Sequence, residues 1–231
     1  MADPTCNKEI LKLLAEKSST KQFVFRQSKE LFKLFGEELG KIATELNSNI
    51  CNIDQSVVVQ NKDIGEFEKQ VFFSGDAIVY QMHTNIFTFD KSHHIWKTSY
   101  VKDDPMRAYF GVIHMYNFLA DSFKYNRESD YGHLLGRIYV NKDKHFFMEG
   151  QRQFAFLFND VQNDVFDKTQ IRKIIEKSIE HSLDFDLTVP NMNDYTELTL
   201  GQIVQFGSAL SLTTRKKLGF KFSFEKGNKV V

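Results

Sequence analysis

Residues 66–83 contain two strand-like segments joined by a short turn, and this hairpin constrains the fold more strongly than any other feature of the chain. The first segment, EFEKQVFF, alternates two sets of side chains with the period of two that is typical of a β-strand. Ser74, Gly75 and Asp76 follow as a turn signal. The second segment, DAIVYQMH, is apolar on both faces, which indicates a strand covered on both sides. The sequence therefore predicts a sheet in the middle of the chain.

Strand patterns recur on both sides of this hairpin. His133–Gly150 is the clearest further hairpin, because two runs rich in aromatic and β-branched residues flank Asn141, Lys142 and Asp143. We interpret Asp90, Lys91 and Ser92 as a hairpin loop between the strand segments NIFTF and HIWKTSY. The remaining strand-like runs are Val57–Val59 and the terminal segment GFKFSFE.

The first 48 residues have a helical pattern. Thr5 or Asn7 is a candidate cap for a short helix that ends near Lys17. A second helix is predicted over Ser28–Leu46, where apolar side chains recur three and four positions apart and the serine is a candidate N-cap.

Glycines and later helical patterns complete the helical part of the prediction. Gly36 and Gly40 lie four positions apart on the second helix, which indicates close packing against a neighbouring element. After Asp167, the segment KTQIRKIIEKSIEHSL places isoleucines on one helical face. A last helix is predicted over Thr196–Leu212.

Residues 105–123 are compatible with two structures. Asp104 followed by Pro105 is the usual opening of a helix, and apolar side chains at helical spacing follow. Gly111, Val112 and Ile113 weaken that interpretation, so a strand through Tyr109–Tyr116 is the alternative. We favour the helix.

Together these patterns predict an α+β fold. We expect a largely antiparallel central sheet of five to seven strands, with N-terminal, internal and C-terminal helices packed on it. The chain has three prolines, and no glycine-, serine- or proline-rich linker interrupts it. We therefore expect a single domain over residues 1–231, in which residues 1–48 form a helical N-terminal segment.

The composition argues against several classes of partner. Lys and Arg number 30, as do Asp and Glu, so the chain lacks the net charge that attracts nucleic acid or an anionic membrane. The segment TTRKKLGFKF joins basic residues to phenylalanines, but its period of two is typical of a half-buried strand. No apolar run reaches the about 20 residues of a membrane span, and MADPTCNKEI has no signal-peptide core. We expect no nucleic-acid partner, no membrane segment and a cytoplasmic location.

Cysteine and phenylalanine content adds two expectations. Cys6 and Cys51 are too few and too far apart for a disulfide framework or a metal site, and we expect Cys51 to be a buried free thiol. The 23 phenylalanines can fill a large core, and any excess could line a pocket or a subunit interface.

The stretch FDKSHHIW raises the question of a metal site. If residues 95–100 are a strand, His93 and His94 face opposite sides of the sheet and cannot hold one ion together. With His83 they also lack the i, i+2 or i, i+4 spacing that ligand pairs use. We predict no metal here, and the sequence identifies no cofactor.

Seven residues are candidates for binding a ligand. His83 ends an otherwise apolar strand, next to the amide of Asn85, and could orient a small ligand. Glu149 stands beside a glycine at the end of another predicted strand. The remaining four lie in the polar stretch ADSFKYNRESDYG, where Arg with aromatic residues can bind a planar or anionic group and two carboxylates could work as a pair: Asp121, Tyr125, Arg127 and Asp130.

The sequence contains no nucleophile elbow, phosphate loop, dinucleotide fingerprint or zinc motif. We therefore expect a non-catalytic cytoplasmic module that binds a small ligand or a protein partner, with a homodimer as one form of such a partner. The alternative is an enzyme of unfamiliar, hydrolase-like type that uses His83, Asp121, Arg127 and Glu149 around a pocket at the sheet edge.

Overall fold

The computed structural model describes residues 4–150 and 154–185, with side chains from residue 7 onward. The predicted helix at Thr196–Leu212, the terminal strand GFKFSFE and the basic segment TTRKKLGFKF lie outside these residues, as does the Cys6 side chain.

One long helical arm begins the described chain. Helix α1 (Pro4–Leu13) runs through a π-helical turn at Leu14–Ser18 into α2 (Ser19–Ile50). The predicted helical segment is present, but the prediction that Ser28 caps a separate helix is wrong, because Ser28 lies buried inside α2. Neither glycine nor proline interrupts residues 5–35, so the helix propagates once it has formed.

Six strands form one antiparallel sheet within the described residues, and they follow one another in chain order. They are β1 (Val59–Gly65), β2 (Glu68–Phe73), β3 (Asp76–Met82), β4 (Phe110–Leu119), β5 (His133–Asn141) and β6 (Phe146–Gly150). The remaining helices are α3 (Ser99–Asp103), α4 (Ala120–Lys124), α5 (Phe154–Leu157) and α6 (Lys168–Leu183). The prediction of an α+β fold with a largely antiparallel sheet is confirmed.

The hairpin that most constrained the sequence forms as predicted. Phe73 pairs with Asp76 across the turn, and β3 is buried along nearly its whole length. The second predicted hairpin forms β5 and β6. Helix α6 also begins as predicted, since the Asp167 side chain accepts a hydrogen bond from the Gln170 N–H at 2.9 Å.

The favoured helix over residues 105–123 is wrong, and the alternative strand is correct. Asp104 does accept a hydrogen bond from the Met106 N–H at 2.9 Å, but the helix it opens is a single 3₁₀ turn at Pro105–Ala108. Strand β4 follows and pairs with β3 on one side and β5 on the other. Two neighbouring strands satisfy its backbone groups and bury its apolar residues, and this pairing outweighs the helical spacing.

The predicted strand over residues 94–100 is also wrong. The structure has a 3₁₀ turn at His94–Lys97 followed by α3, and NIFTF contributes only an isolated bridge between Phe87 and Phe110. Side chains of His93 and Thr98 accept hydrogen bonds from backbone N–H groups two and three residues ahead, which stabilises turns instead of an extended chain.

Helices α2 and α6 cover one face of the sheet and form the larger hydrophobic core with it. Within this core the Tyr80 hydroxyl hydrogen-bonds the Ser178 hydroxyl, and burial raises the pKa of Tyr80. Beyond the sheet, α2 leaves the core, so Cys51 at its end is exposed and the prediction of a buried thiol is wrong.

The opposite face of the sheet is only partly covered. Residues 89–110 fold over it and form a second core in which Ile95, Val101 and Ala108 pack against Tyr139 and Phe147. Below this cover, Gln81 near the end of β3 and Arg137 in the middle of β5 are exposed on that face, and His114 in β4 is half-buried.

Close contact between α2 and the sheet depends on small residues, as predicted for the helix glycines. A Cβ atom on Gly36 would lie 2.9 Å from the Lys69 Cε atom, and one on Gly40 would lie 3.4 Å from the Asn61 side chain. The tightest site is Gly111 on β4, where a Cβ atom would lie 2.1 Å from the Ser28 Oγ atom. This glycine sets how closely helix and sheet approach.

We expect Gly111→Ala to lower the free energy of unfolding by about 1–3 kcal/mol, because the added methyl group overpacks the contact with Ser28. Chemical denaturation followed by circular dichroism measures the change. Gly75→Ala is the matched control and should stay within about 0.5 kcal/mol, since nothing lies within 4 Å of its added Cβ atom. Adding Ser28→Ala to the first variant should recover part of the loss; no loss in the single variant would contradict this packing.

Candidate functional site

Five polar side chains form one row across the open face of the sheet. Cross-strand pairing joins Glu68 to Gln81, Gln81 to His114, His114 to Arg137 and Arg137 to Glu149. Directly paired residues lie on the same face of an antiparallel sheet, so these residues, here called the polar row, run from β2 to β6. The face that carries them is the one opposite α2 and α6.

A cavity of about 460 Å³ lies at the β2 end of this row and is here called the sheet-face cavity. Its lining residues are Phe67, Glu68, Gln81, Met82, His83, Thr84, His114 and Tyr116. The volume falls within the range of about 300–1,000 Å³ that is typical of small-molecule sites. The residues at its floor belong to three adjacent strands, which makes the floor rigid.

His83 is fixed at the rim of the sheet-face cavity. Its backbone N–H donates to the Val112 carbonyl at 2.8 Å, and its Nδ1 atom accepts a hydrogen bond from the Asn85 backbone N–H at 2.9 Å. The ring also packs edge-on against Phe87, with 4.7 Å between centroids. Because Nδ1 accepts this hydrogen bond, Nε2 is the ring atom that remains to donate one.

His114 lies in the floor of the cavity, in the middle of β4. Its Nδ1 atom is 3.2 Å from the Tyr116 hydroxyl, and its ring centroid is 6.3 Å from that of His83. Burial lowers the pKa of His114, and the positive charge of Arg137 and the neighbouring His83 lower it further. The ring is therefore predominantly neutral at pH 7.

The other end of the polar row is held by a network around Glu149. Its carboxylate accepts hydrogen bonds from the Arg137 guanidinium and the Tyr139 hydroxyl, each at 2.8 Å. Burial and the carboxylate raise the pKa of Tyr139. A second cavity of about 380 Å³ lies beside this pair. Arg137 is thus paired with the Glu149 carboxylate, at the end of the polar row away from the sheet-face cavity.

His93 and His94 lie together, which corrects the prediction that their rings face opposite sides of a strand. Their ring centroids are 4.3 Å apart, because the residues enter a 3₁₀ turn instead of an extended chain. His93 stacks on Phe89 at 4.1 Å and its Nε2 atom lies 3.9 Å from a Glu149 oxygen. Burial lowers the pKa of His93, and His94 adds to this against the opposing effect of Glu149. No group of three His, Cys, Asp or Glu side chains in the described chain is arranged to hold a metal ion.

The candidate residues of the polar stretch lie elsewhere in the molecule. Ser122 donates a hydrogen bond to Asp130 at 2.7 Å, and the guanidinium of Arg127 lies 3.9 Å from the same carboxylate and 5.2 Å from the ring of Tyr125. Arg127 and Asp130 line a separate cavity of about 240 Å³, while Asp121 is exposed and does not line it.

The structure separates the groups that the enzyme hypothesis requires. His83 lies beside Val112 on β4, whereas Asp121 and Arg127 follow the far end of that strand, about 24 Å away at 3.4 Å per residue. Glu149 is three strands from β3, or about 14 Å. The candidates therefore occupy three places, and His83 is the candidate that lines the sheet-face cavity.

Sequence reasoning missed most of this site. Glu68, Gln81, His114, Tyr116 and Arg137 were not candidates, because they lie on four different strands and belong to no recognised motif. The one local signal is the i, i+2 spacing of His114 and Tyr116, which places both on one face once β4 is known to be a strand.

We expect Arg137→Gln to raise the pKa of His114 toward its usual value, because the substitution removes a neighbouring positive charge. Titration of the imidazole resonances by NMR measures the shift. Arg107→Gln is the control, since Arg107 pairs with Asp143 outside the polar row and should leave the His114 titration unchanged. An unchanged pKa in the Arg137 variant would contradict the electrostatic coupling along the row.

In the described part of the chain, no helix combines the length and apolarity needed to cross a membrane. No model of a known protein family matches this chain, and no curated protein or solved structure matches it either. The geometry of the sheet-face cavity is therefore the basis on which its function is proposed.

Proposed function

We propose that this protein is a non-catalytic module that binds a small ligand in the sheet-face cavity. The observation that carries the proposal is the position of hydrogen-bonding side chains on a rigid floor, in a cavity of about 460 Å³ on the uncovered face of the sheet. Small-molecule sites commonly combine such a concave surface with a few fixed polar groups. His83 and His114 supply those groups here, and each is oriented by a hydrogen bond.

Ligand binding explains the arrangement of the polar side chains around the sheet-face cavity better than catalysis does. The enzyme alternative needs His83 to act together with Asp121, Arg127 and Glu149, and the distances of about 14 and 24 Å derived from the strand geometry are too long for proton transfer between them. The pair of His114 and Tyr116 is instead suited to hydrogen-bonding a bound molecule. Arg137 and Glu149 form an ion pair with each other at the far end of the polar row.

A cytoplasmic location is part of the proposal. Cys51 is a free and exposed thiol, and such a group persists most readily in a reducing compartment. The neutral composition agrees with a module that does not depend on nucleic acid as a partner.

The proposal is tested by blocking the cavity. Thr84 is exposed at its rim, so Thr84→Trp should fill the opening without disturbing the core. A small-fragment screen by NMR on the wild-type protein should shift the imidazole resonances of His83 and His114, and the tryptophan variant should lose these shifts.

Asn85→Trp is the matched control for the blocking variant. Asn85 is the next residue, equally exposed, and its side chain does not line the cavity, so this variant should keep the fragment shifts. The proposal would be wrong if no fragment shifts either histidine, or if fragments bind equally well to the blocked variant.

The N-terminal helical arm favours homodimer formation as a second candidate function. Its first turns carry four large apolar side chains that are about half exposed or more: Ile10, Leu11, Leu13 and Leu14. The arm carries charges of both signs, with Lys8 and Lys12 close to Glu9 and Glu16. A second copy of the arm would therefore offer both an apolar surface and complementary charges.

Sedimentation velocity tests the homodimer. The wild-type protein should sediment as a dimer at concentrations of tens of micromolar, and the double variant Leu11→Glu with Leu14→Glu should sediment as a monomer, because charges replace the apolar contact. Asn7→Glu with Ser18→Glu is the control, as it adds the same charge at exposed polar positions of the arm. A monomeric wild-type protein would remove this candidate.

A further inference from the structure

We propose that the ligand of the sheet-face cavity is a small organic cation, such as a primary amine attached to an aromatic or apolar body. This inference rests on the function proposed above and adds the chemical class of the ligand. The residue that supports this inference is Glu68. It is the one Asp, Glu, Lys or Arg side chain among the eight described residues that line the cavity.

The position of Glu68 leaves its charge available to the cavity. Its Oε1 atom accepts a hydrogen bond from the Gln70 amide at 2.6 Å, which orients the carboxylate while its Oε2 atom faces no partner among the described residues. Gln81, paired directly with Glu68 across the strands, is exposed and lines the cavity, and the carbonyl of its side-chain amide is able to accept a further hydrogen bond. A bound ammonium group would meet at least these two oxygen acceptors.

Two nearby lysines, Lys69 and Lys29, are held by other carboxylates, whereas Lys62 on β1 lies over the Phe72 ring, 4.5 Å from its centroid. Lys69 follows Glu68 in β2, so its side chain lies on the opposite face, where it bonds Asp63 and the Gly65 carbonyl. Lys29 on α2 forms its ion pair with Glu66. Among the described lining residues, Glu68 therefore gives the cavity a net negative charge when its histidines are neutral.

The rings of His83, His114 and Tyr116, which line the cavity together with Glu68, also favour a cationic ligand. The Nδ1 atom of His83 accepts a hydrogen bond from the Asn85 N–H, and His114 hydrogen-bonds the Tyr116 hydroxyl next to it. The aromatic ring of Tyr116 lines the cavity and attracts a positive charge through its electron-rich face. An anionic ligand would instead meet the Glu68 carboxylate, while Arg137, the nearest guanidinium in the polar row, is held by Glu149.

Three probes of nearly equal size separate the effect of charge from that of shape: benzylamine, benzyl alcohol and benzoate. We expect benzylamine, which is a cation at pH 7.5, to shift the resonances of His114 and Tyr116 in NMR titrations of the full chain. Benzyl alcohol should bind about fivefold more weakly, as expected for the loss of one partly exposed ion pair, and benzoate more weakly still.

Substitution of Glu68 tests the carboxylate directly. Glu68→Gln should reduce the affinity for benzylamine to that for benzyl alcohol, while Glu68→Asp should keep part of the preference for the cation. Glu30→Gln is the matched control, because it removes an exposed carboxylate of α2 that does not line the cavity. Unchanged backbone spectra for each variant show that the fold is intact.

The outcomes distinguish this inference from the proposed function. If benzoate binds at His114 and Tyr116 more tightly than benzylamine, or if Glu68→Gln leaves the affinity for benzylamine unchanged, the cation is the wrong class although the cavity still binds ligands. If none of the three probes and no member of the fragment set shifts these residues, both proposals fail.

Discussion

Packing of α2 against the sheet is the interaction on which the rest of the structure depends. Gly111, Gly36 and Gly40 have no side chain where the helix meets the sheet, so the two surfaces approach closely. Phe32, Phe35 and the other ring and branched side chains of α2 then fill the core together with α6. This contact assigns one face of every strand to the interior. The opposite face is left to the turns of residues 89–110, which are too short to cover all of it.

The candidate site lies on the sheet face that residues 89–110 cover only in part. Because β2 to β6 pair in register, polar side chains from five strands meet in one row, although the residues are up to 81 positions apart in the chain, from Glu68 to Glu149. Strands that are paired on both sides hold such side chains more precisely than loops do. The polar row therefore offers fixed hydrogen-bonding groups at a site that remains accessible, and the proposed binding of a small ligand follows from this combination.

Charge is unevenly distributed along the polar row. At one end Arg137 and Glu149 compensate each other, and Tyr139 completes the network. At the other end Glu68 lines the sheet-face cavity without a lysine or arginine among the described lining residues. The histidine between them has a lowered pKa, because burial and Arg137 both disfavour its charged form. The proposed preference for a cation is a consequence of this asymmetry, and the overall neutrality of the chain does not reveal it.

The sequence by itself determined the elements whose signals are local. The alternation around Ser74–Asp76, the isoleucine spacing after Asp167 and the helical spacing of the first 48 residues each predicted a correct element, because side-chain periodicity acts within a few residues. Where the local sequence is compatible with two conformations, only the tertiary structure selected one of them. Tyr109–Tyr116 forms a strand because it pairs with β3 and β5. His93 and His94 enter a turn that packs over the sheet. The site belongs to the second group. His83 was visible from the sequence, but its association with Glu68, His114 and Tyr116 depends on strand register, which is set by long-range pairing and by the burial of one face against α2.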